Sequence, residues 1–197
     1  MQYNDVPSAK SFFGVPADNP TDIRYTEGVY VGYRYYDAFA KEVAYPFGYG
    51  LSYTNFDYSD IQIHALQQDG MYQVSVKIKN TGKVAGREIV QLYVAAPNQT
   101  IDKPRKVLAD FAKTGMLLPG QSETLTLNIE PKDLASFYTD RAQWLAEAGD
   151  YEVIIGRSSR DLPLRIGFCL DELLLVEQVK NAFVEKLDFQ DLIGPQS

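Results

Sequence analysis

A mainly β chain folded as a two-layer sandwich is what this sequence predicts, and three observations predict it. From Tyr58 onward, short runs alternate apolar and polar residues with a period of two. Turn residues such as Asn, Gly and Pro separate those runs about every 8–12 residues. No long helical period interrupts them before residue 170. With 197 residues, 45% hydrophobic and 23% charged, the chain can bury one good core plus an appendage.

Residues 1–24 carry Pro7, Pro16 and Pro20 among Asp, Asn and Ser, and read as an extended, irregular segment. Residues 25–36 alternate and are rich in β-formers, which predicts one strand. On it Tyr25, Glu27, Val29, Val31, Tyr33 and Tyr35 would share a face. Residues 37–56 read as a loop shaped by Gly and Pro. The block 25–56 holds eight of the 14 tyrosines.

The strands that follow have clearer signals. In Tyr72–Lys79, Tyr72, Val74, Val76 and Ile78 face one way, and Asn80-Thr-Gly82 supplies turn chemistry. Arg87–Ala95, Val107–Thr114 and Ser122–Ile129 come next, the last entered from the Pro119-Gly120 turn. Pro131–Ser136 admits a short helical turn. Tyr151, Val153 and Ile155 define one further strand, and Leu162–Phe168 another. With a strand near Ile61, about seven strands in a row indicate an immunoglobulin or fibronectin type III kind of β-sandwich, because two half-apolar sheets must pack face to face.

The tail reads differently. Leu173, Val176, Val179, Phe183 and Leu187 recur at three or four residues, which predicts an amphipathic C-terminal helix capped near Asp171 and stopped by Gly194 and Pro195. The chain divides into residues 1–56, 57–170 and 171–197.

Several function classes are disfavoured. A net charge of −7 with dispersed Lys and Arg argues against nucleic acid. No run of eighteen apolar residues predicts a membrane span. Residues 1–20 lack a basic start and an apolar run, so no secretory signal is expected there, and a cytoplasmic and a secreted origin both stay open. One cysteine and one histidine, Cys169 and His64, cannot build a disulfide or a structural zinc site. Cys169 is expected to be a small packed residue and His64 a surface or edge residue. Gly48 and Gly50 lack the ending of a phosphate loop, and nothing calls for a cofactor or a metal. Asn98-Gln-Thr100 has the N-glycosylation acceptor pattern, which matters only in a glycosylating pathway.

Two longer motifs are more specific. Tyr25-Thr-Glu27-Gly28-Val-Tyr-Val-Gly32-Tyr33-Arg34-Tyr-Tyr-Asp37 is followed by Tyr45-Pro46-Phe47-Gly48-Tyr49-Gly50-Leu51-Ser52-Tyr53-Thr54-Asn55-Phe56. Behind them come Gly86-Arg87-Glu88-Ile-Val-Gln91-Leu-Tyr93-Val94, Leu118-Pro119-Gly120-Gln-Ser122 and Gly149-Asp-Tyr151-Glu-Val153 leading to Gly156-Arg-Ser158-Ser159. Over about residues 3–170 this pattern resembles the C-terminal part of glycoside hydrolase family 3, the β-glucosidase family. The resemblance implies that residues 1–56 are the last edge of an α/β sandwich domain and its junction loop, and that 57–170 are a fibronectin type III-like domain. It also implies partner domains, in cis or in trans: a (β/α)8 barrel with the nucleophilic aspartate and an α/β sandwich domain with the acid/base glutamate. Neither catalytic motif matches a residue here, so the chain alone is expected to be inactive, its parent an O-glycosyl hydrolase acting on terminal β-linked sugars.

The residues themselves support that expectation. A retaining glycosidase needs two carboxyl groups about 5–5.5 Å apart, whereas Glu27 and Asp37 stand ten residues apart, roughly 33 Å if extended. Arg34 has five donors and is expected to clamp Glu27 or a loop carboxylate. Tyr33, Arg34, Phe47, Tyr49, Tyr53 and Trp144 are the candidates for a sugar pocket or a domain junction, Trp144 reading first as a core or edge residue. Three readings follow: a non-catalytic module supporting domain packing and stability, a free carbohydrate-binding or adhesion module taking β-linked oligosaccharide, or a subunit completing a split glycosidase. Residues 1–56 are expected to lie along the sandwich, self-associate with a second copy, or stay mobile.

Overall fold

The structure, a computed structural model, describes residues 5–11, 18–19, 21–66, 70–180 and 190–195. A helical turn α1 (Tyr33–Ala38) precedes strands β1 (Phe56–Ala65), β2 (Tyr72–Asn80), β3 (Ile89–Ala95), β4 (Val107–Lys113) and β5 (Ser122–Ile129). A second turn, α2 (Pro131–Leu134), leads to β6 (Ser136–Tyr138), β7 (Gln143–Ala146), β8 (Gly149–Gly156), β9 (Leu164–Leu170) and β10 (Leu174–Gln178). The strands form antiparallel sheets in the orders β1-β2-β5, β4-β3-β8-β9 and β10-β7-β6. The mainly β sandwich predicted from alternation is present.

Period two explains the core. Val74, Val76 and Ile78 of β2 meet Leu127 and Ile129 of β5, Val90 and Leu92 of β3, and Val153 and Ile155 of β8, all withdrawn from water. Each such side chain contributes about 1.5–3 kcal/mol of burial energy. β3 departs from simple alternation, because Gln91 and Tyr93 on its outer side are buried too. Residues 33–48 cover that outer face.

Asn80 closes one end of the sandwich. Its side-chain oxygen accepts from Thr54 Oγ1 at 2.7 Å and Gly82 N–H at 3.0 Å. Its amide donates to the carbonyls of Val84 and Leu117, both at 2.8 Å. The turn read from Asn80-Thr-Gly82 ends β2, and the Asn80 side chain within it is a buried hub. Gly82 has to be glycine, since a Cβ there would lie 2.2 Å from Thr54 Oγ1. Asp60 sits inside β1 in a bulge with φ 55°.

Three local expectations are corrected. The strand expected over 25–36 is absent: Gly28 (φ 54°) and Gly32 (φ 60°) turn the chain in the left-handed region, and the following residues wind into α1. The predicted C-terminal helix gives way to β10 over Leu174–Gln178, paired with β7; the rest of that prediction, residues 181–189 and 196–197, lies outside the described residues. Cys169 is exposed rather than packed, because β9 turns Leu164, Ile166 and Phe168 inward and Cys169 outward. His64 is exposed on β1, as expected. Among the described residues, no helix is long and apolar enough to cross a membrane.

Candidate functional site

The tyrosine-rich segment lies along the outer face of sheet β4-β3-β8-β9, pinned at several points. Tyr33 stacks on Phe47 (centroids 5.1 Å) and meets Tyr93 of β3 edge-on at 5.8 Å. Its hydroxyl accepts the Leu108 N–H at 2.8 Å. The Ser159 N–H donates to the Phe47 carbonyl at 2.8 Å. Gly48 (φ 82°) passes so close to β3 that a Cβ would lie 1.9 Å from Gln91 Nε2. That amide donates to the Arg157 carbonyl at 3.0 Å, and Gln91 Oε1 accepts from Tyr93 Oη at 2.5 Å. Burial, with the negative charge of Asp37 nearby, pushes the Tyr93 hydroxyl well above the usual tyrosine range, so it remains a donor.

Asp37 is the electrostatic centre. Lys106 Nζ lies 2.6 Å from one carboxylate oxygen and Arg160 Nε 3.0 Å from the other. Arg160 also donates through Nη2 to the carbonyls of Tyr36 and Lys41, at 3.2 and 2.7 Å. The expected clamp is therefore built by Lys106 and Arg160 on Asp37. Arg34 makes no hydrogen bond or ion pair among the described residues, and Glu27 Oε2 is buried without a partner. Arg160 was visible in sequence beside Gly156-Arg-Ser158-Ser159, yet its partner is 123 positions away and no local pattern signals that distance.

Two grooves flank Asp37. One, of about 460 Å³, is lined by Tyr33, Tyr36, Tyr45, Phe47, Ser159 and Arg160 among others. The other, of about 530 Å³, carries Lys41, Arg105, Lys106 and Arg165 opposite Glu42 and Glu152. The structure thus brings Tyr33 and Phe47 together. Tyr49 lies 5.0 Å from Tyr45, ring to ring, and Tyr53 is 99% exposed. Trp144 stands apart in β7, its ring 5.5 Å from Phe137, and lines neither groove.

The arrangement offers exposed aromatic rings and paired charges around two grooves. Asp37 is ion-paired to two cations, and Gly48 serves close backbone approach. A third anchor escaped the sequence reading: Tyr30 Oη donates to Asp102 at 2.8 Å, and Gly194 N–H donates to the same carboxylate at 2.8 Å.

The chain has relatives among known proteins. Residues 88–159 match the model of the fibronectin type III-like domain. The chain is 42% identical to thermostable beta-glucosidase B of Acetivibrio thermocellus, over 79% of this chain and 20% of that protein. It is 38% identical to a beta-glucosidase of Ruminococcus albus, over 96% of this chain and 20% of that one. The structure of beta-glucosidase 3B from Thermotoga neapolitana, in complex with α-D-glucose, superposes with a TM-score of 0.82 at 47% identity, covering 89% of this chain and 24% of that one. The chain spans about a fifth to a quarter of the length of these relatives. In sequence and fold, the chain matches the fibronectin type III-like C-terminal domain of the glycoside hydrolase family 3 β-glucosidases.

Proposed function

We propose that the chain is a non-catalytic module that docks the barrel and α/β domains of a family 3 glycosidase and stabilises their arrangement. The observation that carries this reading is the contrast within residues 45–53. The backbone is pinned at Phe47 and Gly48, yet Tyr45, Leu51 and Tyr53 are 71%, 90% and 99% exposed. A rigid run that presents large apolar side chains to water is the mark of a protein interface. The parent reaction is hydrolysis of terminal β-linked sugars, with both catalytic carboxylates supplied by the docked domains. Residues up to 56 are the junction, and 57–170 the fibronectin-like body.

The test mixes this chain with a family 3 β-glucosidase lacking the corresponding region. The chain alone is expected to show no turnover of an aryl β-glucoside, and the mixture to form a complex with restored activity. Leu51→Ser with Tyr53→Ser should weaken that complex by roughly 30-fold or more, the scale of losing an interfacial anchor worth about 2 kcal/mol. Turnover by the chain alone, surviving removal of contaminants, overturns the reading.

A further inference from the structure

We propose that the aromatic groove between α1 and the Pro46-Phe47 bend is a binding site for one neutral pyranose unit. Its volume, about 460 Å³, is that of a small-ligand site rather than a packing defect. Aromatic rings dominate its walls, with Tyr36 half-buried and Tyr45 largely exposed. Ring faces of this kind receive the C–H faces of sugars, while their hydroxyls stay available for hydrogen bonds.

The polar groups of the groove point the same way. Arg160 uses Nε on Asp37 and Nη2 on two carbonyls, which leaves Nη1 without a hydrogen bond among the described residues. Tyr36 Oη is also unspent among them. Ser159 Oγ has no partner although the residue is only 1% exposed. An orphaned buried hydroxyl costs about 1–3 kcal/mol and calls for a partner that the protein does not provide. Within the lining of this groove the charge of Arg160 is balanced by Asp37. An aromatic wall, unspent donors and a largely compensated charge suit a polyhydroxylated neutral ring better than an acid. Gly32 at the rim keeps the entrance open, with no atom within 4 Å of where its Cβ would be.

This site shares Tyr45 with the docking surface, yet the two proposals are tested separately. A chain that binds sugar but captures no barrel domain overturns only the docking proposal, and the converse overturns only this one. The experiment is an NMR titration of the amide resonances with methyl β-glucoside and cellobiose, with glycerol and glucuronate as controls. Saturable shifts centred on Gly32, Val43–Phe47 and Ser159 are expected, with affinity near millimolar. Tyr45→Ala should weaken binding about tenfold while leaving the melting temperature unchanged, because its ring is solvent-exposed. Ser159→Ala should weaken it several-fold, again without loss of stability, since no intramolecular hydrogen bond of its hydroxyl is broken. Linear, non-saturating shifts, shifts centred elsewhere, tighter binding of glucuronate, or both variants binding like the unsubstituted chain would each overturn the proposal.

Discussion

Tyr30 and Asp102, 72 positions apart, are joined by a 2.8 Å hydrogen bond that ties the tyrosine-rich segment to the loop between β3 and β4. The same carboxylate takes the Gly194 N–H, and Leu192 N–H reaches the Thr26 carbonyl, so residues 190–195 close over the segment. Burial and the neighbouring Asp102 carboxylate keep the Tyr30 hydroxyl protonated far above neutrality. A Cβ at residue 194 would sit 2.1 Å from Tyr30 Oη. Gly194→Ala is therefore expected to expel the C-terminal segment. Hydrogen exchange at Tyr30 and Val31 should accelerate at least tenfold, while Val74–Ile78 in the core keep their protection. Unchanged exchange at Tyr30 would show that the clasp carries no load.

Asn80 predicts a larger and more global effect. It is fully buried, and its side chain makes four hydrogen bonds that join Thr54, Gly82, Val84 and Leu117. Asn80→Ala leaves the Thr54 hydroxyl without its acceptor and takes a donor from the carbonyls of Val84 and Leu117, the latter keeping the Gly86 N–H; a buried group left unsatisfied costs about 1–3 kcal/mol. A loss of about 3 kcal/mol or more in denaturant unfolding is expected. Asn80→Asp keeps the shape and the acceptor but loses the donors to both carbonyls, so it should not rescue.

Gly48 separates two costs that a double-mutant cycle can resolve. Gly48→Ala forces a side chain into φ 82°, worth about 1–2 kcal/mol, and into the Gln91 amide. Gln91→Ala removes the obstacle without relieving the backbone. The double variant is expected to be less destabilised than the sum of the two singles, by about 1 kcal/mol or more. Strict additivity would mean that the loop lifts away and never meets Gln91.

Much of the sandwich was legible because its inner faces obey a single period. β5 occupies Ser122–Ile129 as read, and β2 runs one residue past its predicted end. The failures have local causes. β10 imitates a helix because a bulge between Leu175 and Glu177 interrupts the alternation: Leu174 and Val176 turn inward, then Val179, which gives spacings of two and three. The run Tyr25–Tyr36 alternates in composition, yet Gly28 and Gly32 take positive φ and convert it to turn and helix. The site was legible in its aromatic members, Tyr33 and Phe47. Its charged members were not, since Asp37, Lys106 and Arg160 converge only through the fold.

The buried Lys103–Glu147 pair yields a pH prediction. Lys103 also donates to the Pro97 carbonyl at 2.8 Å, while Glu147 accepts from Tyr138 Oη at 2.5 Å and from the Thr100 N–H at 3.1 Å. Burial on its own would raise the Glu147 pKa, but these hydrogen bonds and the Lys103 charge outweigh it and bring it down to about 2. A depressed carboxylate pKa means that the unfolded chain binds the proton more readily. Its contribution is present above the ordinary value of 4.5 and is lost as pH falls through about 2. Urea midpoints measured from pH 7 to pH 2 should therefore fall more steeply between about pH 4.5 and pH 2 in the unsubstituted chain than in Glu147→Gln, which has no proton to gain there. Lys103→Met tests the same pair from the other side at pH 7. It leaves the carboxylate buried without its cation, and breaking such a pair costs about 3–5 kcal/mol. Parallel acid slopes for the unsubstituted chain and Glu147→Gln would place the acid sensitivity of the fold in other carboxylates.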